Sequence, residues 1–129
     1  MKDKLNLIFE LQRTLMERLV KIDPDVAWPV DITSTAGQKI CREVTLRSTE
    51  ELHEALQHLK KWKSHKHVDD YDFDHDAFLE EIVDSLHYIF ELLILVDIGA
   101  EELFQAFHNK HQINLDRVKD KIQRIKLDV

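Results

Sequence analysis

The chain has very few of the residues that build turns, disulfides and membrane spans. It contains 2 Gly, 2 Pro and 1 Cys in 129 residues. So few turn residues favour a small number of long helices over a sheet with many short connections. The single Cys41 excludes an internal disulfide and a cysteine-rich zinc site. No apolar run reaches the roughly 18 residues that span a bilayer, because Glu91 interrupts the longest one.

The charge balance excludes a generalised surface for nucleic acid. The chain carries 25 acidic residues against 18 Lys and Arg, for a net charge of −7. Nucleic-acid-binding domains are typically basic, so we expect no nucleic-acid partner. The N-terminus lacks the long apolar core of a signal peptide, which predicts a cytoplasmic protein without a membrane partner. At 43% hydrophobic, residues 1–129 are expected to form one globular domain.

Apolar periodicity and capping residues predict an all-α fold, a bundle of four to five helices. The number of helices depends on helix two. Ser48 followed by Glu51 fits a capping box, which predicts a break in this helix near Arg47. Helix one is expected between Asp3 and Ile22, and helix two from Thr35, after the N-cap Ser34, to about Trp62. Helix three should start after a cap at Asp74 or Asp76 and end before Gly99. Helix four should extend from Ala100 to Ile122 or beyond.

Two of these helices carry a pair of carboxylates one turn apart, on the border of the apolar face. Glu51 and Glu54 form the pair in helix two, and Glu81 and Asp84 form the pair in helix three. The helix-three pair shares its strip with Tyr88 and Glu91. The expected core faces consist of Leu52, Ala55, Leu56, Leu59 and Trp62 in helix two and of Ile82, Leu86, Ile89 and Leu93 in helix three.

Two interpretations of these acidic strips are open. If the pairs face each other, their mutual repulsion in a partly dry site requires cations, and hard oxygen ligands suit Mg²⁺ or Mn²⁺. If they face outward, they are the solvated sides of two amphipathic helices. Trp62 and Tyr88, on the same strips, favour the first interpretation.

The ordered set of motifs resembles the all-α NTP pyrophosphohydrolases, the superfamily of MazG, dCTP pyrophosphatases and dimeric dUTPases. Its centre is Glu51-x-x-Glu54, a spacer and Glu81-x-x-Asp84. The likeness extends to LQRTLMERL in helix one, TAG at the start of helix two, KKWK after it and AEELFQAFHNKHQINLDR in helix four. The resemblance implies a bundle that dimerises through its helices. A homodimer is therefore expected, with a homotetramer as the alternative, as in some relatives.

The resemblance also implies an activity and a set of roles. The enzyme would hydrolyse a deoxynucleoside triphosphate, dUTP or dCTP, to the monophosphate and pyrophosphate with Mg²⁺. Metal ligands would be Glu51, Glu54, Glu81 and Asp84, and Glu54 would also be the catalytic base. Phosphate groups would meet Lys110, Asn114 and Arg117, with Lys63 as a further candidate, and the base would meet Gln12, Met16 and Trp62.

Departures from the family pattern leave other functions open. Met16 stands where dimeric dUTPases often have Asn, and His111 stands where Asn is usual, so a MazG-like enzyme of broader or purine specificity is the main alternative. A helical interaction module without turnover is another. A di-iron protein would need Glu50-x-x-His53, which points away from the core face of its helix. The loop with Asp72, Asp74 and Asp76 lacks the Gly and Glu of an EF-hand.

Overall fold

Four α-helices make up the regular structure of residues 3–24 and 27–128, the part of the chain that the computed structural model describes. No strand occurs in these residues, so the predicted all-α class is confirmed. Asp25 and Val26 of the predicted connector lie outside the described residues. None of the four helices combines the length and the apolar content that a bilayer span needs. The helices are α1 (Lys4–Leu19), α2 (Thr35–Leu56), α3 (His75–Leu95) and α4 (Ala100–Leu127).

Local capping chemistry sets the helix starts. Ser34 accepts a hydrogen bond from the backbone N–H of Gly37 at 2.9 Å, and Asp74 accepts one from Ala77 at 3.0 Å. Both were predicted caps. Gly37 is required at its position, because a Cβ there would lie 2.0 Å from the carbonyl oxygen of Asp31. The start of α2 therefore depends on a turn that only glycine can close.

Three predicted boundaries are wrong. Helix α2 continues through Arg47 without a break, because Ser48 bonds to α3 and does not cap a new helix. It then ends at Leu56, well before Trp62, which is 65% exposed in the following segment. Helix α1 ends at Leu19, before the predicted Ile22. Helix α3 does end before Gly99, at Leu95, and the left-handed residue after it is Asp97, with φ of 61°.

The core lies where α1, α2, α3 and the start of α4 meet. Phe9 and Phe90 pack edge to face, with ring centroids 5.1 Å apart. Of the two predicted core faces, Ala55 is buried and Leu93 packs against the core. For the isolated chain, the rest of the prediction is largely wrong. Most of the larger side chains on the two predicted core faces remain substantially exposed: Leu52, Leu56, Trp62, Leu86 and Ile89. The buried hydrophobic cluster consists instead of Phe9, Met16, Val44, Ile94, Leu95 and Ala100.

Candidate metal centre

A pair of serines fixes the position of α2 against α3. The Oγ atoms of Ser48 and Ser85 lie 2.8 Å apart, and the Ser85 hydroxyl donates to the backbone carbonyl of Ser48 at 3.0 Å. Both residues are buried. Small side chains let the two backbones approach closely at this point. Glu51 follows Ser48 by three residues and Glu81 precedes Ser85 by four, so this contact brings the acidic strips of the two helices to face each other.

The four predicted metal ligands converge at this crossing. Oxygens of Glu51, Glu81 and Asp84 all lie within 4.8 Å of one another. The more exposed Glu54 is close enough to form hydrogen bonds with both Glu51 and Glu81. We call these four side chains the carboxylate cluster. Sequence spacing predicted that each pair would share a face, and the structure shows that the two faces meet.

The carboxylates of the cluster perturb one another. Burial raises the pKa of Glu51 to about 7, with further contributions from Glu54, Glu81 and Asp84. Hydrogen bonding with Glu54, together with burial, raises the pKa of Glu81 as well. The cluster therefore retains protons near neutral pH when nothing else compensates its charge.

The arrangement fits a divalent cation. Oxygen Oε2 of Glu81 is buried and has no hydrogen-bond partner among the described residues. A buried acceptor without a donor is costly, and a cation bound by the cluster would satisfy it. Carboxylate oxygens are the ligands that Mg²⁺ and Mn²⁺ prefer. Glu51, Glu81 and Asp84 are thus the residues that would hold such an ion, with Glu54 beside them.

The pH dependence of stability should reveal the mutual repulsion of the carboxylates in the cluster. An unfolded Glu titrates near pH 4.3, below the folded value of Glu51, so the folded state binds more protons between these values. The contribution of Glu51 to stability is therefore fully present below about pH 4 and is lost as pH rises through about 7. In EDTA, we expect the melting temperature of the wild type to fall over this range more steeply than that of Glu51→Gln. Equal slopes would contradict the prediction, and Mg²⁺ should restore wild-type stability at pH 8.

A cavity of about 420 Å³ opens beside the cluster. Glu51 and Asp84 line it, so a ligand in the cavity would contact the metal site directly. At its wall, Nδ1–H of His87 donates to Oε1 of Gln12 at 2.7 Å. The remaining lining residues are Leu15, Leu19, Tyr88 and Glu91. Of the lining side chains that were not predicted as site residues, Tyr88 and Glu91 share the strip of Asp84, which is the sequence signal that could have identified them.

The predicted base-binding residues are divided by the structure. Gln12 lines the cavity, and its contact with a base remains a prediction. Met16 is fully buried in the core and lines no part of this cavity, which does not favour the base contact predicted for it. Leu15 and Leu19 line the wall instead. They follow Gln12 at three- and four-residue spacings and so share its face of α1. Trp62 is exposed outside the cavity, with Nζ of Lys63 5.0 Å from its ring centroid.

The predicted phosphate-binding residues of α4 stay apart from the cluster within one chain. Lys110, Asn114 and Arg117 are exposed, and none of them lines the cavity. Lys63 is likewise exposed after the end of α2. Helix α4 packs on the core only through its first turn, where Ala100 and Leu103 contact it. The role of Lys63, Lys110, Asn114 and Arg117 in binding phosphate remains a prediction.

The rival metal sites find no support in the geometry. Glu50 and His53 are both exposed on α2, as predicted, and neither belongs to the carboxylate cluster. In the part of the chain that the structure describes, the group of Glu51, Glu81 and Asp84 is the one set of three or more His, Cys, Asp or Glu ligands within bonding reach of a common ion. The loop aspartates Asp72, Asp74 and Asp76 form no such group.

Comparison with known proteins gives one informative relative. The chain is 25% identical to the dCTP pyrophosphatase of Enterobacteria phage T4, in an alignment that covers 90% of this chain and 81% of the relative. No family model matches the chain. No solved structure matches it significantly. The similarity therefore extends over most of the chain at low identity.

Proposed function

We propose that the protein is a metal-dependent nucleoside triphosphate pyrophosphohydrolase that converts a pyrimidine deoxynucleoside triphosphate, dCTP or dUTP, to its monophosphate and pyrophosphate. The observation that carries this proposal is the convergence of Glu51, Glu54, Glu81 and Asp84 beside an open cavity. An interaction module without turnover has no use for four mutually repelling carboxylates. The similarity to a dCTP pyrophosphatase supports the same class of reaction.

The residues of the cluster divide into two roles in this proposal. Glu51, Glu81 and Asp84 would hold Mg²⁺, with Mn²⁺ as a substitute, beside the cavity. When bound, the metal neutralises charge on the phosphoryl oxygens and lowers the pKa of a coordinated water. Glu54 is the most exposed of the four and accepts the proton of the attacking water. Water oxygen bonds to the α-phosphorus while the bond from that phosphorus to the bridging oxygen breaks, and pyrophosphate leaves.

The cavity is suited to the nucleoside part of the substrate. Leu15 and Leu19 supply an apolar wall, while Gln12 and His87 supply hydrogen-bonding groups. Its volume of about 420 Å³ lies within the range of small-molecule sites. A pyrimidine nucleotide whose α-phosphate lies at the metal held by Glu51 and Asp84 would have its base among these side chains. A MazG-like enzyme of broader or purine specificity is the alternative that the substrate test must exclude.

A panel of nucleotides tests the proposal. The protein should release pyrophosphate from dCTP or dUTP in Mg²⁺, and EDTA should stop the reaction. Inorganic phosphate should not be a primary product. Hydrolysis of dATP or dGTP at least about tenfold more efficient than that of the pyrimidine nucleotides would overturn the pyrimidine assignment. Failure to release pyrophosphate from any nucleotide would overturn the proposed function.

We propose in addition that two copies of the chain associate. The described structure exposes 10415 Å², whereas a compact monomer of 15.3 kDa is expected to expose roughly 7,100 Å². Many large apolar side chains are exposed in the single chain, and extensive exposed apolar surface is typical of an interface. The exposed apolar side chains of α4 are Phe104, Phe107, Ile113, Leu115, Val118, Ile122, Ile125 and Leu127.

Association can be measured directly. Light scattering at micromolar concentration should give a mass about twice that of the chain, with a tetramer as the higher assembly. A charge placed in the apolar groove between α1 and α3, in Leu86→Glu, should weaken the assembly, whereas Glu80→Gln on the exposed side of α3 should not. A monomeric wild type at these concentrations would contradict the proposal.

A further inference from the structure

Glu91 is a buried acid that the proposed reaction does not use. It lies in the interior of α3 and retains only 5% of its exposure. Its side chain lines the cavity beside the carboxylate cluster. Its surroundings oppose its charge, since burial raises its pKa and the nearby Arg47 guanidinium only partly compensates. Because burial disfavours the charged form of this carboxyl group, a hydrogen-bond donor from a bound partner would stabilise it.

The cavity is where that partner would bind. Glu91 lines the same cavity as Asp84 and Glu51. It follows Asp84 by seven residues on α3, which is two helical turns along one face and about 10 Å. Tyr88 lies between them. This separation is close to the reach of a nucleoside monophosphate from its phosphorus to the far edge of a pyrimidine base.

We propose that Glu91 accepts a hydrogen bond from the exocyclic amino group of cytosine and thereby selects dCTP over dUTP. This inference rests on the proposed function and names the base that the site takes. With the α-phosphate at Asp84 and Glu51, the far edge of the base meets Glu91 at the other end of the cavity.

The two pyrimidines differ at the group that would face Glu91. Cytosine carries an amino group at its 4-position, which donates, and carboxylates of Asp and Glu are common acceptors for it. Uracil carries a carbonyl oxygen there, which would place an acceptor against an acceptor. A site built around one hydrogen bond rejects an analogue that cannot form it, because the buried protein group then stays unpaired.

The ratio of kcat/KM for dCTP to that for dUTP tests this assignment. The wild type should favour dCTP by about tenfold or more, and in Glu91→Gln the ratio should fall towards one, because an amide can both donate and accept. A ratio measured within one preparation does not depend on the fraction that folds. Glu80→Gln, an exposed change on the same helix, should keep the wild-type ratio. An unchanged ratio in Glu91→Gln, or a wild type that favours dUTP, would overturn the inference.

A binding measurement separates this inference from the proposed function. In Mg²⁺, millimolar dCMP should raise the melting temperature of the wild type more than dUMP does, and Glu91→Gln should remove the difference. Selective dCMP binding without turnover would support the role of Glu91 while overturning the proposed hydrolysis. Pyrophosphate release with equal shifts from dCMP and dUMP would support the hydrolysis and overturn the role of Glu91.

Discussion

Replacing Glu81 with Gln should abolish pyrophosphate release while leaving the fold intact. The loss should be roughly 10³-fold or more, since a metal site supplies several kcal/mol of transition-state stabilisation. In EDTA the variant should melt at the temperature of the wild type or above it, because the change removes one of the charges that repel one another in the cluster. It should also lose the stabilisation that Mg²⁺ with substrate gives the wild type. The measurements are turnover at saturating Mg²⁺ and melting with and without metal.

Two further variants complete this experiment. Asp84→Asn should behave as Glu81→Gln does, because both residues belong to the group whose oxygens meet within 4.8 Å. Glu50→Gln is the matched control, since Glu50 is adjacent in sequence to Glu51 but exposed outside the cluster. If the carboxylates were only the solvated sides of two helices, all three changes would be alike and mild. Full turnover by Glu81→Gln would refute the metal site.

Replacing Glu54 with Gln should separate proton transfer from metal binding. Glu54 interacts with Glu51 and Glu81 but is the most exposed of the four carboxylates, which suits a group that contacts water. We expect kcat to fall by about 10²- to 10⁴-fold, the usual contribution of a general base. Affinity for the metal should fall less than in Glu81→Gln.

The kinetic pattern distinguishes the roles of the two residues. In Glu54→Gln, kcat should change far more than KM, and raising the Mg²⁺ concentration should not restore it. In Glu81→Gln, weak metal binding is the primary defect. A Glu54→Gln variant with normal kcat, or one that loses metal as completely as Glu81→Gln, would contradict the role of Glu54 as the base.

Local chemistry made much of the fold predictable. The caps Ser34 and Asp74 each act within one helical turn, so the starts of α2 and α3 follow from the sequence. The break near Arg47 was wrong because Ser48 and Glu51 satisfy a local pattern while Ser48 bonds to Ser85, 37 residues away. A contact over that separation has no local signature. The same contact brings the acidic strips together, so spacing identified the carboxylate pairs but not the way in which they meet.

Burial was harder to predict than helix position. Apolar side chains such as Leu52 and Leu86 occur at core spacing and yet remain exposed in one chain. Periodicity identifies an apolar face but cannot tell whether the same chain or a second copy covers it. Glu91 shows that burial of a charged side chain is equally hard to predict. An acid in an apolar run is normally expected at the surface, whereas here it is buried and lines the cavity.

Titration of the metal-free protein with Mn²⁺, followed by electron paramagnetic resonance of the free ion, tests the central claim most directly. The carboxylate cluster should bind Mn²⁺ in the wild type, and Mg²⁺ should displace it. Glu81→Gln should bind far more weakly, and Glu50→Gln should bind as the wild type does. Equal binding by all three proteins, or no binding by the wild type with substrate nucleotide present, would contradict the assignment of Glu51, Glu81 and Asp84 as a metal site.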